Sequence, residues 1–206
     1  MSDKPENQVK SKWSLEMYLR RVFKNVIDPI ARGLLRVGIT PNTITAIGFL
    51  LSTVAAVFAS QGKFTIAGLI LLIAAPLDVV DGSMARLIGI PTQYGSLIDS
   101  VTDRYSELVV FGGMMFYFIN TQNTLAAMLV YIAAAGSVLV SYVKARAEGL
   151  NLSAKVGLLT RVERLIILII CLIFNIPTVA LWIIAVLANY TAIQRLLYVR
   201  KQVVKQ

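Results

Sequence analysis

Long apolar runs separated by very short polar breaks dominate the chain from residue 42 onward. They cover 42–60, 64–87, 94–119, 124–147, 158–175 and 178–199. Each is close to the roughly 20 residues that a helix needs to cross a bilayer. The breaks Gln61-Gly62-Lys63, Asn120-Thr121-Gln122-Asn123 and Asn175-Ile176-Pro177 leave room only for tight turns, so consecutive helices run antiparallel. The pattern predicts an all-α integral membrane protein with six transmembrane helices in an up-and-down bundle. Upstream, Leu15, Leu19, Val22, Phe23, Val26 and Ile30 recur at helical spacing with Arg20, Arg21, Lys24 and Arg32 among them. That stretch is too charged to span and predicts an amphipathic helix over 13–38 lying in the membrane interface. Residues 1–12 are polar and read as disordered. The amphipathic stretch does not read as a signal peptide, because no apolar run precedes a cleavage site. Gly38 ends the interfacial helix, and Thr40-Pro41 supplies a cap and a first-turn proline for the next. The spanning domain is placed at 39–200 and a cytoplasmic tail at 201–206. No internal repeat is evident.

Composition agrees with this layout and narrows the chemistry. Of 206 residues, 57% are hydrophobic and 15% charged, and the mean hydropathy is +0.72. A soluble domain carries about 25% charged residues. The chain has no histidine, which removes imidazole bases, Ser-His-Asp triads and His-ligated zinc or haem. Its one cysteine, Cys171, lies inside an apolar run, so neither a disulfide framework nor a thiolate metal cluster is available. The net charge of +9 points to an anionic leaflet or to phosphate-bearing substrates. Nucleic acid is not an expected partner, since no basic cluster is interleaved with aromatic residues. Of the 20 Lys and Arg residues, all but Lys63 fall on one side of the predicted bundle. That side is cytoplasmic by the positive-inside rule. Both ends of the chain therefore face the cytoplasm of a cell membrane, which requires an even number of crossings.

The chemistry concentrates in Asp78-Val79-Val80-Asp81-Gly82-Ser83-Met84-Ala85-Arg86 and, eight residues later, Gly95-Ser96-Leu97-Ile98-Asp99-Ser100-Val101-Thr102-Asp103. Asp78 and Asp81 are three apart, Asp99 and Asp103 four apart, so each pair shares one helix face. A short cytoplasmic turn separates the pairs, which puts them at similar depth on adjacent antiparallel helices. A carboxylate inside the bilayer costs about 2.5–3.5 kcal/mol on insertion scales. Four together need counter-ions, and an all-oxygen site favours Mg²⁺ or Mn²⁺ over zinc. Two such ions about 3.5–4 Å apart suit displacement at phosphorus. Gly82 clears space beside the first carboxylates, Ala85 keeps the next turn thin, Arg86 offers a fork for phosphate, and Gly95 leaves room on the facing helix. Acids in a membrane also serve as proton relays or as the ion site of a cation-coupled transporter. A transporter would show inverted repeats or broken helices in matching halves, and neither is visible.

These residues match, without departure, the signature Asp-x2-Asp-Gly-x2-Ala-Arg-x8-Gly-x3-Asp-x3-Asp, and the chain resembles the CDP-alcohol phosphotransferases. The resemblance implies a six-span membrane enzyme, usually a homodimer, that displaces CMP from a CDP-linked group with an alcohol acceptor. It implies that Asp78, Asp81, Asp99 and Asp103 bind two Mg²⁺ or Mn²⁺ ions per active site. It further implies that Asp103 takes the proton from the acceptor hydroxyl. Gly82, Arg86, Thr92 and the turn Asn42, Thr43, Ile44 and Thr45 match positions that hold the CDP-lipid. Gly112-Gly113 and Ala133-Ala134-Ala135-Gly136 offer close-packing surfaces for a dimer.

The acceptor is read from the rest of the chain. Ser141-Tyr142-Val143-Lys144-Ala145-Arg146-Ala147-Glu148 and Arg161-Val162-Glu163-Arg164 place four cations on the two sides of one cytoplasmic loop, and Arg195 adds a fifth nearby. Ordinary positive-inside charge explains part of that. These segments, with Pro29 to Gly38, resemble the family branch that transfers a phosphatidyl group from CDP-diacylglycerol to inositol 1-phosphate, the phosphatidylinositol phosphate synthases. By that resemblance Lys144, Arg146, Arg164 and Arg195 bind the acceptor phosphate. The branch pattern Glu-Arg-x-Glu-Arg reads Thr160-Arg161-Val162-Glu163-Arg164 here. A phosphatidylglycerophosphate synthase, with glycerol 3-phosphate as acceptor, is the alternative within the family; a cation-coupled transporter is the one outside it.

Overall fold

The computed structural model describes residues 27–89 and 93–204. The reading of 1–12 as disordered, the first half of the interfacial helix, Thr92 and the last two residues of the tail lie outside the described residues. Within them the chain is helical and contains no strand. A first helix, α1, is described over 27–36. It is followed by α2 (Pro41–Ser60), α3 (Phe64–Leu87), α4 (Gln93–Asn120), α5 (Thr124–Glu148), α6 (Arg161–Ile173) and α7 (Pro177–Val203).

Local chemistry sets the boundaries. Gly38, at φ +81°, turns the chain out of α1 in a conformation that costs a residue with a Cβ. Thr40 caps α2 by accepting from the Thr43 amide at 3.3 Å, with Pro41 in the first turn, as the sequence predicts. Asn123 caps α5 in the same way through the Ala126 amide at 3.0 Å. The fifth apolar run is shortened at both ends. Thr160 is the cap residue of α6, and Asn175 at φ +57° stops it soon after Ile173. In compensation α7 continues to Val203, past the predicted 199.

Four helices, α2, α3, α5 and α7, are long and apolar enough to cross a membrane. The other two expected spans fall short for distinct reasons. The lower half of α4 carries Asp99, Asp103, Arg104 and Glu107. With 13 residues, α6 is about 20 Å long at 1.5 Å per residue.

The helices close into a ring in which α2 packs on α3 and α4, α3 on α6, α6 on α7, α7 on α5, and α5 on α4. This corrects one expectation. The helices α3 and α4, which carry the two Asp pairs, are consecutive but not each other's main packing partners; α2 joins them. The core between the ring members is built from Leu71, Phe111, Met114, Leu172, Leu181 and Ile184, with many alanines between them. Small residues allow the close approaches. A Cβ on Gly113 would run into the Ala56 backbone of α2, and one on Gly136 would sit 2.6 Å from Asn189 of α7. Those two glycines therefore serve contacts within the chain, whereas Gly112 has nothing within 4 Å of its Cβ position. Near the start of α2 and the end of α3 a second cluster packs Ile27 and Ala31 of α1 against Ile44, Val80 and Met84. A hydrogen bond from Ser83 Oγ to Asp28 Oδ1, 2.6 Å, fastens α1 to α3 two residues from Asp81.

Candidate active site

The acidic pairs project from the C-terminal half of α3 and the N-terminal half of α4. Asp81 is 2% exposed, and Thr45 Oγ1 of α2 donates to its Oδ2 at 2.7 Å. A charge-assisted bond of this kind contributes about 1.5–3 kcal/mol, and it fixes the carboxylate orientation. The helix α2 therefore supplies both the packing that joins α3 to α4 and a hydroxyl to their acidic site. Asp78 and Asp99 act electrostatically on Asp81, and the same two act on Asp103. Asp81 and Asp103 thus each lie within electrostatic reach of Asp78 and Asp99.

A guanidinium lies among them. Arg161, the first residue of α6, pairs through Nη1 with Asp78 Oδ2 and through Nη2 with Asp103 Oδ1, the latter at 2.7 Å. One helical turn further, Arg164 grips Glu107 with both arms of its fork, Nε to Oε1 at 2.8 Å and Nη2 to Oε2 at 3.0 Å. Two ion pairs in register, Arg161–Asp103 and Arg164–Glu107, hence tie α6 to α4 across a cavity. Thr45, Asp78, Asp103, Glu107 and Arg161 contribute to its polar wall, and Leu71, Val110 and Leu168 to its apolar one. Neither Arg161 nor Glu107 belongs to the predicted site. The signal for Glu107 was present, since it continues the i, i+4 series Asp99, Asp103. The matching i, i+3 spacing of Arg161 and Arg164 was its complement.

The remaining predicted residues divide. Gly82 is open, with only Arg86 Nη1, at 3.7 Å, near the place of a Cβ, and Arg86 itself is exposed. Asn42 and Thr43 are exposed in the first turn of α2, whereas the Ile44 side chain is buried in the apolar cluster under α1. Lys144 and Arg146 are exposed at the end of α5, where Lys144 faces Glu148 at 4.0 Å. Arg164 and Arg195 are buried and act electrostatically on each other. Arg195 donates to the backbone carbonyls of Val156 at 2.8 Å and Val140 at 2.7 Å. Arg164 keeps one terminal nitrogen, Nη1, buried with no partner, a donor suited to an anion. The loop before α6 is held against α7. Its Leu159 amide donates to Thr191 Oγ1 at 3.2 Å, and a Cβ on Gly157 (φ +135°) would strike Thr191. At the head of α6, Thr160 Oγ1 donates to the Glu163 carboxylate, so the threonine that departs from the branch pattern holds the glutamate of its own turn, without a side-chain bond to a helix amide.

The donor set suits a hard divalent cation, because it offers carboxylate and hydroxyl oxygens and no nitrogen or sulfur ligand. No three acids among the described residues stand together as a ready ligand set.

Comparison with known proteins agrees with this chemistry. The sequence profile of the family described as CDP-alcohol phosphatidyltransferase matches residues 38–193. A phosphatidylinositol phosphate synthase of Streptomyces avermitilis is 35% identical over 91% of this chain and 83% of its own. Two crystal structures of the Mycobacterium tuberculosis phosphatidylinositol phosphate synthase superpose closely. The form with CDP-DAG bound gives a TM-score of 0.78 at 32% identity, covering 84% of this chain and 92% of that one. The complex with manganese and citrate gives 0.79 at 33% identity, covering 84% and 88%. The chain belongs to the CDP-alcohol phosphatidyltransferase family and is a membrane phosphatidyltransferase.

Proposed function

We propose that the protein transfers a phosphatidyl group from CDP-diacylglycerol to inositol 1-phosphate, giving phosphatidylinositol phosphate and CMP. The observation that carries the acceptor is the pair of buried arginines, Arg164 and Arg195, beside the acidic cavity, with Nη1 of Arg164 unpartnered. A free polyol would leave that donor unanswered; a phosphate ester would not. The synthase from Streptomyces avermitilis supports the same reading.

In this reading all six long helices cross the cell membrane, α1 belongs to the interfacial helix, and the site faces the cytoplasm. The family domain is 39–200, and the protein works as a homodimer. Asp78, Asp81, Asp99 and Asp103 hold Mg²⁺ or Mn²⁺, two per site, which supplies charge neutralisation at the diphosphate. The manganese complex of the tuberculosis enzyme supports a divalent cation. Thr45 orients Asp81. Gly82, open on its outer side, lets the diphosphate approach α3, where Arg86, Asn42, Thr43 and the backbone of the first α2 turn help to bind the nucleotide with Thr92. Arg146, Arg164, Lys144 and Arg195 bind the acceptor phosphate. Asp103, within the cavity, accepts the proton of the attacking hydroxyl, and CMP leaves as the new phosphodiester forms.

The test is direct. Membranes containing the protein are incubated with CDP-diacylglycerol and either inositol 1-phosphate, inositol or glycerol 3-phosphate, and the lipid product is identified. Phosphatidylinositol phosphate should form only with the first, EDTA should stop CMP release, and Mg²⁺ or Mn²⁺ should restore it. Phosphatidylglycerophosphate as the product would reassign the acceptor, and turnover in a metal-free preparation would remove the cation.

A further inference from the structure

The start of a helix is an unfavourable place for a cation, because the helix dipole favours negative charge there. Arg161 nevertheless opens α6. Its charge is met by Asp78 from α3 and Asp103 from α4, one on each terminal nitrogen of the guanidinium. Glu107 attracts it further from the next turn of α4. A third of the side chain is exposed, and it forms part of the wall of the cavity. Two of the carboxylates proposed to hold divalent cations are therefore bridged by a cation belonging to the chain.

We infer that Arg161 is a resident counter-ion of the carboxylate site, holding Asp78 and Asp103 together until a divalent cation displaces it. This rests on the reading of the four acids as cation ligands. Without Arg161, acids packed this closely in a poorly hydrated site repel one another, and the helices that carry them are not each other's main packing partners. With Arg161 in place the oxygens Asp78 Oδ2 and Asp103 Oδ1 are taken, so an incoming cation competes for them. The displaced arm remains in the cavity, where Glu107 is the next carboxylate along α4. Competition of this kind raises the apparent dissociation constant by the reciprocal of the fraction of molecules whose carboxylates are free. A free state populated at about a tenth raises it about tenfold.

The experiment is a Mn²⁺ titration of the detergent-solubilised full chain without substrate, reading free Mn²⁺ by its EPR signal. It compares wild type, Arg161→Gln, Arg161→Lys and Asp81→Asn, with melting temperatures taken with and without Mn²⁺. Arg161→Gln should bind Mn²⁺ about tenfold more tightly. Arg161→Lys should fall between it and wild type, since a lysine ammonium does not fork to two carboxylates. Arg161→Gln should melt below wild type in metal-free buffer, and saturating Mn²⁺ should close that gap. A merely structural arginine would give the same melting deficit with and without Mn²⁺. Unchanged or weaker Mn²⁺ binding in Arg161→Gln overturns the inference and leaves the carboxylate reading standing. If that variant does not fold, Arg161→Lys decides alone, and affinity no tighter than wild type overturns it. Wild-type Mn²⁺ binding that Asp81→Asn leaves untouched removes the carboxylate reading and the inference with it.

Discussion

At the scale of single residues the site mixes side chains whose removal reports chemistry with others whose removal reports folding. Asp103 is of the first kind. Its proposed proton-accepting role predicts that Asp103→Asn, which preserves shape, lowers the turnover number far more than it lowers CDP-diacylglycerol binding. Steady-state kinetics with a separate donor-binding assay decide this, and a variant with intact turnover and lost donor affinity would contradict the role. The arginines differ among themselves. Arg146 is exposed at the end of α5, so Arg146→Ala should fold normally. If it holds the acceptor phosphate, losing about 1.5–3 kcal/mol raises the KM for inositol 1-phosphate roughly ten- to a hundredfold. The KM for the donor should change little. Arg164 is 1% exposed and engaged with Glu107. Its truncation leaves a carboxylate uncompensated, which costs about 3–5 kcal/mol when such a pair is buried. Arg164→Ala should therefore show a lowered melting temperature as well as lost acceptor affinity. The double variant Arg164→Ala/Glu107→Ala should recover part of the stability and none of the affinity.

At the scale of helices, the ring depends on where a glycine faces a backbone. Gly112 and Gly113 are adjacent on α4 and differ completely in surroundings. Gly113→Ala puts a methyl group against the Ala56 carbonyl of α2 and should destabilise by about 1–3 kcal/mol, the ordinary penalty of overpacking. Gly112→Ala meets nothing within 4 Å and gains helix propensity, so its melting temperature should hold or rise. Equal melting of the two variants would contradict the α2–α4 contact. This contrast was invisible in the sequence, where the dipeptide reads only as a small-residue surface. Helix existence and most boundaries were legible, because apolar length, the Thr40-Pro41 cap and the short polar breaks are local signals. The four acids were legible for the same reason, through spacing along one chain. The Arg161 and Arg164 bridges to α4 were not, because they depend on which non-consecutive helices meet. The separation of α3 from α4 was hidden likewise, since sequence adjacency suggests packing that α2 in fact supplies.

For the whole molecule the proposed six-crossing topology requires that a 13-residue helix and a charged one both take part. The helix α6 supplies about 20 Å of rise against a hydrocarbon core of about 30 Å. Its flanks, Leu158 and Leu159 before it and Phe174 to Ile176 after it, are apolar or turn-forming and extend the reach. Its neighbours α3 and α7 cover part of its length, so much of its surface meets protein and not lipid. For α4, Asp103 and Glu107 are paired to α6 and face the cavity. Their charges therefore load the interior of the ring, where acids are tolerated, and not the lipid face. The proposed topology has both helices cross, so that the chain would return to its starting side after an even number of passes, in keeping with the Lys and Arg distribution. Single-cysteine labelling tests this, with the buried Cys171 first replaced by alanine. Cysteines at Gln61, Gln122 and Asn175 should react with a membrane-impermeant maleimide from outside intact spheroplasts, and those at Ser153 and Lys201 only after the membrane is opened. If α6 failed to cross, Asn175 would label from the same side as Ser153, and α7 would then carry Lys201 to the outside. Agreement between Lys201 and Ser153, with Asn175 opposite, requires both α6 and α7 to span. Gln61 and Gln122 labelling from outside, with a cysteine at the exposed Ile88 protected until the membrane is opened, requires the same of α3 and α4. That result places the acidic site, about two to three turns from the Leu87–Gln93 connection, on the cytoplasmic side where nucleotide-activated lipid is met.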